Sequence, residues 1–244
     1  MLQSLSSKSD PASQSLCALA QHTLGQPGGL DTARKLAEDN TSSEDPVVQI
    51  VAGTILASDV STHSLALSLL QKHQGSLEAI LLLTHLHLST NRTDLAAREV
   101  QAAKRWAQDS LLINLAEAWV NLRQGGSEKY QSAFYVYEEL AQTDQFSSPT
   151  NLVGQAVSEM LLGRYEESQV GLENAMGKEG ASGESVANAV VLATVKGKKQ
   201  GAEQLEGKLR ESEPLHPLLV GVREKSELFD EAAKKYSAKV ATAA

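Results

Sequence analysis

The side chains that could do chemistry in this chain are spaced in ways that keep them apart. His85 and His87 lie two positions apart in a predicted helix, so their side chains point about 200° apart and cannot share a metal ion. The adjacent carboxylates of Glu166 and Glu167 diverge in the same way and cannot form a catalytic dyad. No metal or cofactor is therefore expected.

A phosphate-binding loop is also absent from the sequence. Gly171 and the Gly177-Lys178 pair resemble one, but five residues separate the glycines where the motif has four, and Glu179 stands where Ser or Thr should bind magnesium. No glycine-flanked nucleophile elbow is present either. Because these catalytic motifs are missing, we expect that the protein is not an enzyme. The alternative, an all-α hydrolase or transferase, predicts turnover and a polar pocket with clustered titratable groups.

Composition and charge narrow the class of protein further. The 244 residues carry a net charge of −8, which disfavours nucleic acid as a partner because phosphate binding needs a basic surface. Cys17 is the single cysteine, so a disulfide framework is excluded and a reducing compartment is favoured. The polar N-terminus has no signal-peptide core, and no apolar run reaches the roughly 18 residues of a membrane helix. We expect a cytosolic chain without direct membrane insertion.

A degenerate repeat runs along the chain. A small residue recurs on successive helical segments with spacings of 33, 30, 37, 35 and 34 residues, at Ala33, Ala66, Ala96, Ala133, Ser168 and Ala202. These values scatter around the roughly 34-residue period of tetratricopeptide repeats, in which each unit is a helix–turn–helix. Small residues suit these positions because closely crossing helices leave no room for a large side chain.

A further amphipathic segment precedes each of these helices, as expected for the first helix of a pair. Glycine-rich connectors and prolines at helix starts separate the segments. The predicted first helices are Ala12–Leu24, Pro46–Ala57, Leu77–Leu88, Leu111–Leu122, Thr150–Leu162 and Glu184–Val195. No segment alternates with the period of a strand.

The pattern predicts an all-α fold, a right-handed α-solenoid of about six tetratricopeptide-like helix pairs with a C-terminal capping helix. The predicted organisation is a polar tail over residues 1–10, the repeat array over 11–215, and the capping helix and tail over 216–244. The capping helix is expected over Pro217–Val240, with a polar outer face.

The first helices are expected to line the concave face, where peptides usually dock on such arrays. Projection of the helical register predicts an unusually apolar lining that a partner covers, because large apolar patches mark interaction surfaces. The candidate partner-binding residues are Leu81, His85, Leu88, Ile113, Glu117, Val120, Asn121, Val153, Val157, Met160, Leu161 and Val191. The alternative is that these residues belong to the core and that the projected register is off by one.

A receptor for a C-terminal carboxylate, as in co-chaperones, is a second binding hypothesis. Such a receptor needs Lys and Arg on successive first helices to neutralise the carboxylate. The predicted first helices Leu77–Leu88 and Leu111–Leu122 contain neither residue, which argues against this hypothesis. Another tetratricopeptide-type adaptor remains an alternative function.

Several segments resemble the epsilon subunit of coatomer, the COPI vesicle coat. The most specific is LLINLAEAWVNLRQGGSEKYQSAFYVYEELAQ, residues 111–142, whose connector and aromatic second helix are not general tetratricopeptide features. Residues 94–109, 148–176 and 212–236 are also similar to that family. The resemblance covers about Pro46 to Tyr236, whereas Met1–Gln21 does not look like the aromatic hairpin with which family members usually begin.

This resemblance implies a non-catalytic structural subunit that binds and stabilises the C-terminal domain of the alpha coat subunit. It also implies a role in retrograde Golgi-to-ER and intra-Golgi vesicle transport, contact with other coat subunits through the alpha subunit, and a peripheral location on Golgi membranes and COPI-coated vesicles.

Overall fold

The computed structural model of the chain describes residues 10–39, 41–142 and 148–236. Every regular element within these ranges is helical, and the predicted all-α class is confirmed. The α-helices are α1 (Pro11–Thr23), α2 (Gly29–Glu38), α3 (Pro46–Ala57), α4 (His63–Leu70), α5 (Leu77–Ser89), α6 (Thr93–Lys104), α7 (Leu111–Gln124), α8 (Ser127–Gln142), α9 (Pro149–Leu161), α10 (Tyr165–Met176), α11 (Gly183–Val195), α12 (Lys199–Ser212) and α13 (Pro217–Ala233).

Helix starts follow the proline and capping signals of the sequence. Helix α3 begins at Pro46, and the Asp45 carboxylate accepts a hydrogen bond from the Val47 backbone N–H at 2.8 Å. Helix α9 begins at Pro149, with the Ser148 hydroxyl accepting from the Asn151 N–H. Because proline lacks the N–H that a first turn leaves unpaired, it is well suited to these positions.

The chain divides into two compact units, and the division falls within α8. In the first unit, Met1–Val136, the helices pair as α1 with α2, α3 with α4, and α5 with α6, while the first helices α1, α3, α5 and α7 also contact one another in sequence. This contact pattern is that of a tetratricopeptide array, in which each pair packs on the next. Buried Ile55, Leu70 and Leu83 belong to its larger core cluster.

The second unit, Tyr137–Ala244, repeats the same scheme. Helix α9 packs with α10 and α11 with α12, and α11 also contacts both helices of the preceding pair. Its core cluster contains Ala156, Leu172, Ala189 and Leu192.

Five of the six predicted small contact positions are completely buried: Ala33, Ala66, Ala96, Ala133 and Ser168. The Ser168 hydroxyl on α10 also donates a hydrogen bond to the Ala156 carbonyl on α9 at 2.7 Å. The sixth, Ala202, is only half-buried, and α12 buries Leu209 instead. Close helix crossing therefore explains the repeat at five positions.

Helix α13 contacts its surroundings mainly through its first turns. It has no buried residue, and Val222, Leu228 and Phe229 are 55%, 65% and 71% exposed. The apolar stripe that predicted a capping helix is thus largely uncovered over the described part of the chain. The capping role stays a prediction, and the predicted end at Val240 lies outside the described residues.

Candidate partner-binding surfaces

Two of the predicted lining residues of α7 face the core rather than an open surface. Ile113 and Val120 are 0% and 4% exposed and pack with α5 and α6 in the second core cluster of the first unit, and Leu81 lies against the same cluster. Their placement on an exposed face is corrected, because α7 uses this side to contact the preceding helix pair. Ile113 and Val120 therefore belong to the core, as the alternative interpretation of the predicted lining has it.

Two polar residues from the predicted lining make contacts within the chain. The Lys104 ammonium on α6 donates to both carboxylate oxygens of Glu117 on α7 at 2.7 and 2.8 Å. The amide of Asn121 donates to the Ser132 hydroxyl at 3.5 Å. The half-buried ion pair ties the second helix of one pair to the first helix of the next, so Glu117 has a structural role.

In the second unit the predicted lining is divided between core and surface. Val153 and Met160 pack against the cluster around Ala156 and Leu172, and Val157 is half-buried. A charge at Met160 would therefore disturb the core as well as any interface. Leu161 and Val191 are 43% and 38% exposed and remain available to a partner.

An open groove of about 580 Å³ lies on the first unit between α5 and α7. Of the predicted residues, His85 and Leu88 line it. The His85 and Trp119 rings meet edge to face, with centroids 6.0 Å apart and planes at 70°. Its lining is His85, Leu88, Ser89, Trp119, Leu122 and Arg123, here called the α5–α7 groove.

Trp119 and Arg123 were not predicted as site residues. The predicted helix ended at Leu122, whereas α7 ends at Gln124 and is capped by Gly125, which has a φ of 80°. Arg123 therefore lies on a first helix after all, one turn beyond Trp119. The i, i+4 spacing of these residues was the signal in the sequence that could have found this row.

A second exposed surface, on the second unit, was predicted only in part. Val191 and Val195 of α11 and Leu218 and Val222 of α13 line one cavity of about 360 Å³. Phe229 continues the Val222 row two turns further along α13. These five residues are here called the terminal apolar face, and Val191 is its one predicted member.

Two buried titratable groups stand apart from these surfaces. Burial raises the pKa of the Glu159 carboxyl, which accepts a weak hydrogen bond from the Gln155 amide at 3.4 Å. Burial lowers the pKa of His87, and its Nδ1 atom has no hydrogen-bond partner within the described residues. Over the same ranges no group of three His, Cys, Asp or Glu side chains could hold a metal ion, and no helix is long and apolar enough to cross a membrane.

Glu159→Gln is expected to stabilise the protein at pH 7. A carboxyl whose pKa is raised by folding above its ordinary 4.5 favours the folded state most below that pH, and this contribution is lost as the pH rises through the folded pKa. The neutral amide avoids the loss, so its advantage should shrink toward pH 4. Urea midpoints at both pH values measure this, with Glu203→Gln on the exposed side of α12 as control. An equal advantage at both pH values would contradict the prediction.

Comparison with known proteins agrees with the helical-repeat architecture and gives the family. The family model described as "Coatomer epsilon subunit" matches residues 1–237. A probable coatomer subunit epsilon of Schizosaccharomyces pombe is 31% identical over 193 residues, covering 79% of this chain and 63% of the relative. Coatomer subunit epsilon-2 of Oryza sativa subsp. indica is 29% identical over 231 residues, covering 92% of this chain and 75% of the relative.

Among solved structures, a chain in the crystal structure of the APC/C hetero-tetramer Cut9-Hcn1 superposes with a TM-score of 0.64 at 12% identity, over 92% of this chain and 44% of that one. At this identity the likeness concerns the fold alone, and it supports the helical-repeat description. The matched region spans 63% of the length of the first of these coatomer relatives and 75% of the second. With a family model that matches nearly its whole length, the chain belongs to the coatomer epsilon subunit family.

Proposed function

We propose that this chain is a non-catalytic subunit of the COPI coat that binds and stabilises the C-terminal domain of the alpha coat subunit. Membership of the epsilon family supports a coat role, and its association with other coat subunits follows from that role. The proposal extends to retrograde Golgi-to-ER and intra-Golgi transport, with the protein cytoplasmic and peripheral on Golgi membranes and COPI-coated vesicles.

The observation that carries the binding proposal is the terminal apolar face. Val195, Val222 and Phe229 are 54%, 55% and 71% exposed on adjoining helices. Val195 and Val222 line one cavity, Phe229 lies further along the same helix as Val222, and large exposed apolar patches mark interaction surfaces. A partner that covers the face removes this apolar area from water and stabilises the folded chain by mass action.

The proposal is tested by capture of the purified C-terminal domain of the alpha coat subunit on the immobilised chain. The double variant Val222→Asp with Phe229→Asp is expected to weaken capture about 30-fold or more, the loss typical of central interface residues. Since both side chains are exposed, the variant should keep its helical circular dichroism. Val170→Asp on α10, at a site that is 57% exposed, is the matched control and should bind as the wild type does.

Two outcomes would contradict the proposal at different levels. If the wild-type chain fails to capture the alpha domain, the proposed partner is wrong. If the wild-type chain captures it and the double variant captures it equally well, the partner is right and the terminal apolar face is not the binding site.

A further inference from the structure

The α5–α7 groove has two ends of different chemistry. His85 and Ser89 lie one turn apart on α5, and Trp119 and Arg123 lie one turn apart on α7. Leu88 on α5, which is 9% exposed and belongs to the core cluster, adds an apolar contact to the lining. One end of the groove is therefore aromatic and the other carries a positive charge. Tryptophan and arginine are also the residue types most enriched among energetically dominant interface positions.

The charge of Arg123 is held in place without being neutralised. Its Nη2 atom donates to the side-chain oxygen of Asn91, a neutral acceptor, and Asn91 follows the end of α5 in the left-handed region with a φ of 59°. Within the described residues no carboxylate lies within ion-pair distance of Arg123, whereas Lys104 and Arg92 are both paired. A guanidinium has five N–H donors, so most of its donors remain for a ligand.

We propose that the α5–α7 groove binds an extended segment of the alpha coat subunit in which a large apolar side chain is followed by an acidic one. The apolar side chain lies against Leu88 and the paired rings of His85 and Trp119, and the carboxylate pairs with Arg123. This inference rests on the proposed function, and it adds the chemistry of the segment that the groove recognises.

Charge complementarity selects this occupant over two others. Nucleic acid could stack on Trp119, but the chain has a net charge of −8, and the single cation of the groove is too few to hold a phosphate backbone against it. A receptor for a free C-terminal carboxylate uses cations from several successive helices, and this groove offers Arg123 alone. A carboxylate side chain beside an apolar anchor needs only the one cation that is present.

Titration calorimetry at low and high salt measures binding of the C-terminal domain of the alpha coat subunit to the full chain. Arg123→Gln is expected to weaken binding about tenfold at low ionic strength, because it removes a charge-assisted hydrogen bond. Arg123→Glu is expected to weaken it further, by repelling the acidic residue. The differences should shrink at about 0.5 M salt, where exposed charges are screened. Arg98→Gln, an exposed arginine on α6, is the matched control and should have no effect.

The results separate this inference from the proposed function. If the wild-type chain does not bind the alpha domain, the proposed function fails. If the wild-type chain binds and both Arg123 variants bind as tightly as the wild type does, only the present inference fails. A second form of the alpha domain, extended by a short Gly-Ser tail, should show the same dependence on Arg123. Loss of that dependence would identify a terminal carboxylate as the ligand and overturn the proposal.

Discussion

Leu83→Ala is expected to lower the free energy of unfolding by about 2–5 kcal/mol. Leu83 is completely buried on α5, in the core cluster that joins α1–α4 to α5. The substitution removes apolar contacts and leaves a cavity that the surrounding helices can fill only in part. Because each helix pair packs on its neighbours, the cavity weakens the junction between successive pairs as well as α5 itself.

Urea unfolding followed by tryptophan fluorescence measures this effect in the first unit. Both tryptophans of the chain, Trp106 and Trp119, lie in that unit. Val60→Ala is the control, since this side chain is 82% exposed and its truncation should change stability by less than about 0.5 kcal/mol. A Leu83→Ala midpoint equal to that of the control would show that the α3–α5 junction contributes little to the stability of the array.

Helix positions could be predicted from the sequence where local chemistry determines them. The predicted bounds of α3, Pro46–Ala57, are confirmed, because an aspartate cap and a proline fix its start. The end of α7 was predicted too early, since nothing before Gly125 interrupts a helix and both Arg123 and Gln124 favour helical structure. Because the predicted helix ended at Leu122, Arg123, the one cation of the α5–α7 groove, was left out of the predicted surface.

The candidate site was harder to predict because periodicity does not identify what covers an apolar face. A first helix in the array contacts its own pair and the neighbouring first helices, so its apolar stripe is wide. Ile113 of that stripe is buried, while Trp119 opens onto the groove. Helix α13 shows the opposite outcome. The spacing of its apolar residues predicted that it packs against the array, but Phe229 is exposed. Both outcomes depend on tertiary contacts and partners, which a single helical segment does not encode.

Gly154→Ala is expected to destabilise the second unit by about 1–3 kcal/mol, although alanine is the better helix former. Gly154 lies in α9 against the ring of Tyr137, and an added Cβ would fall inside van der Waals contact of the ring atoms Cδ1, Cε1 and Cζ. Tyr137 is 5% exposed, so its ring has little room to move away. The cost of overpacking should therefore exceed the gain in helix propensity.

Gly207→Ala provides a matched control with the opposite expected sign. Gly207 lies in α12 of the same unit, and a Cβ there would meet no atom within 4 Å. Only the helix-propensity gain remains at this site, about 0.5–1 kcal/mol of stabilisation. Thermal unfolding followed by circular dichroism compares the two variants directly. Adding Tyr137→Leu to Gly154→Ala should relieve the clash, so the two substitutions should be less than additive in their cost. If Gly154→Ala stabilises the protein as Gly207→Ala does, the ring of Tyr137 yields at no cost, and the close approach of α8 and α9 does not require glycine.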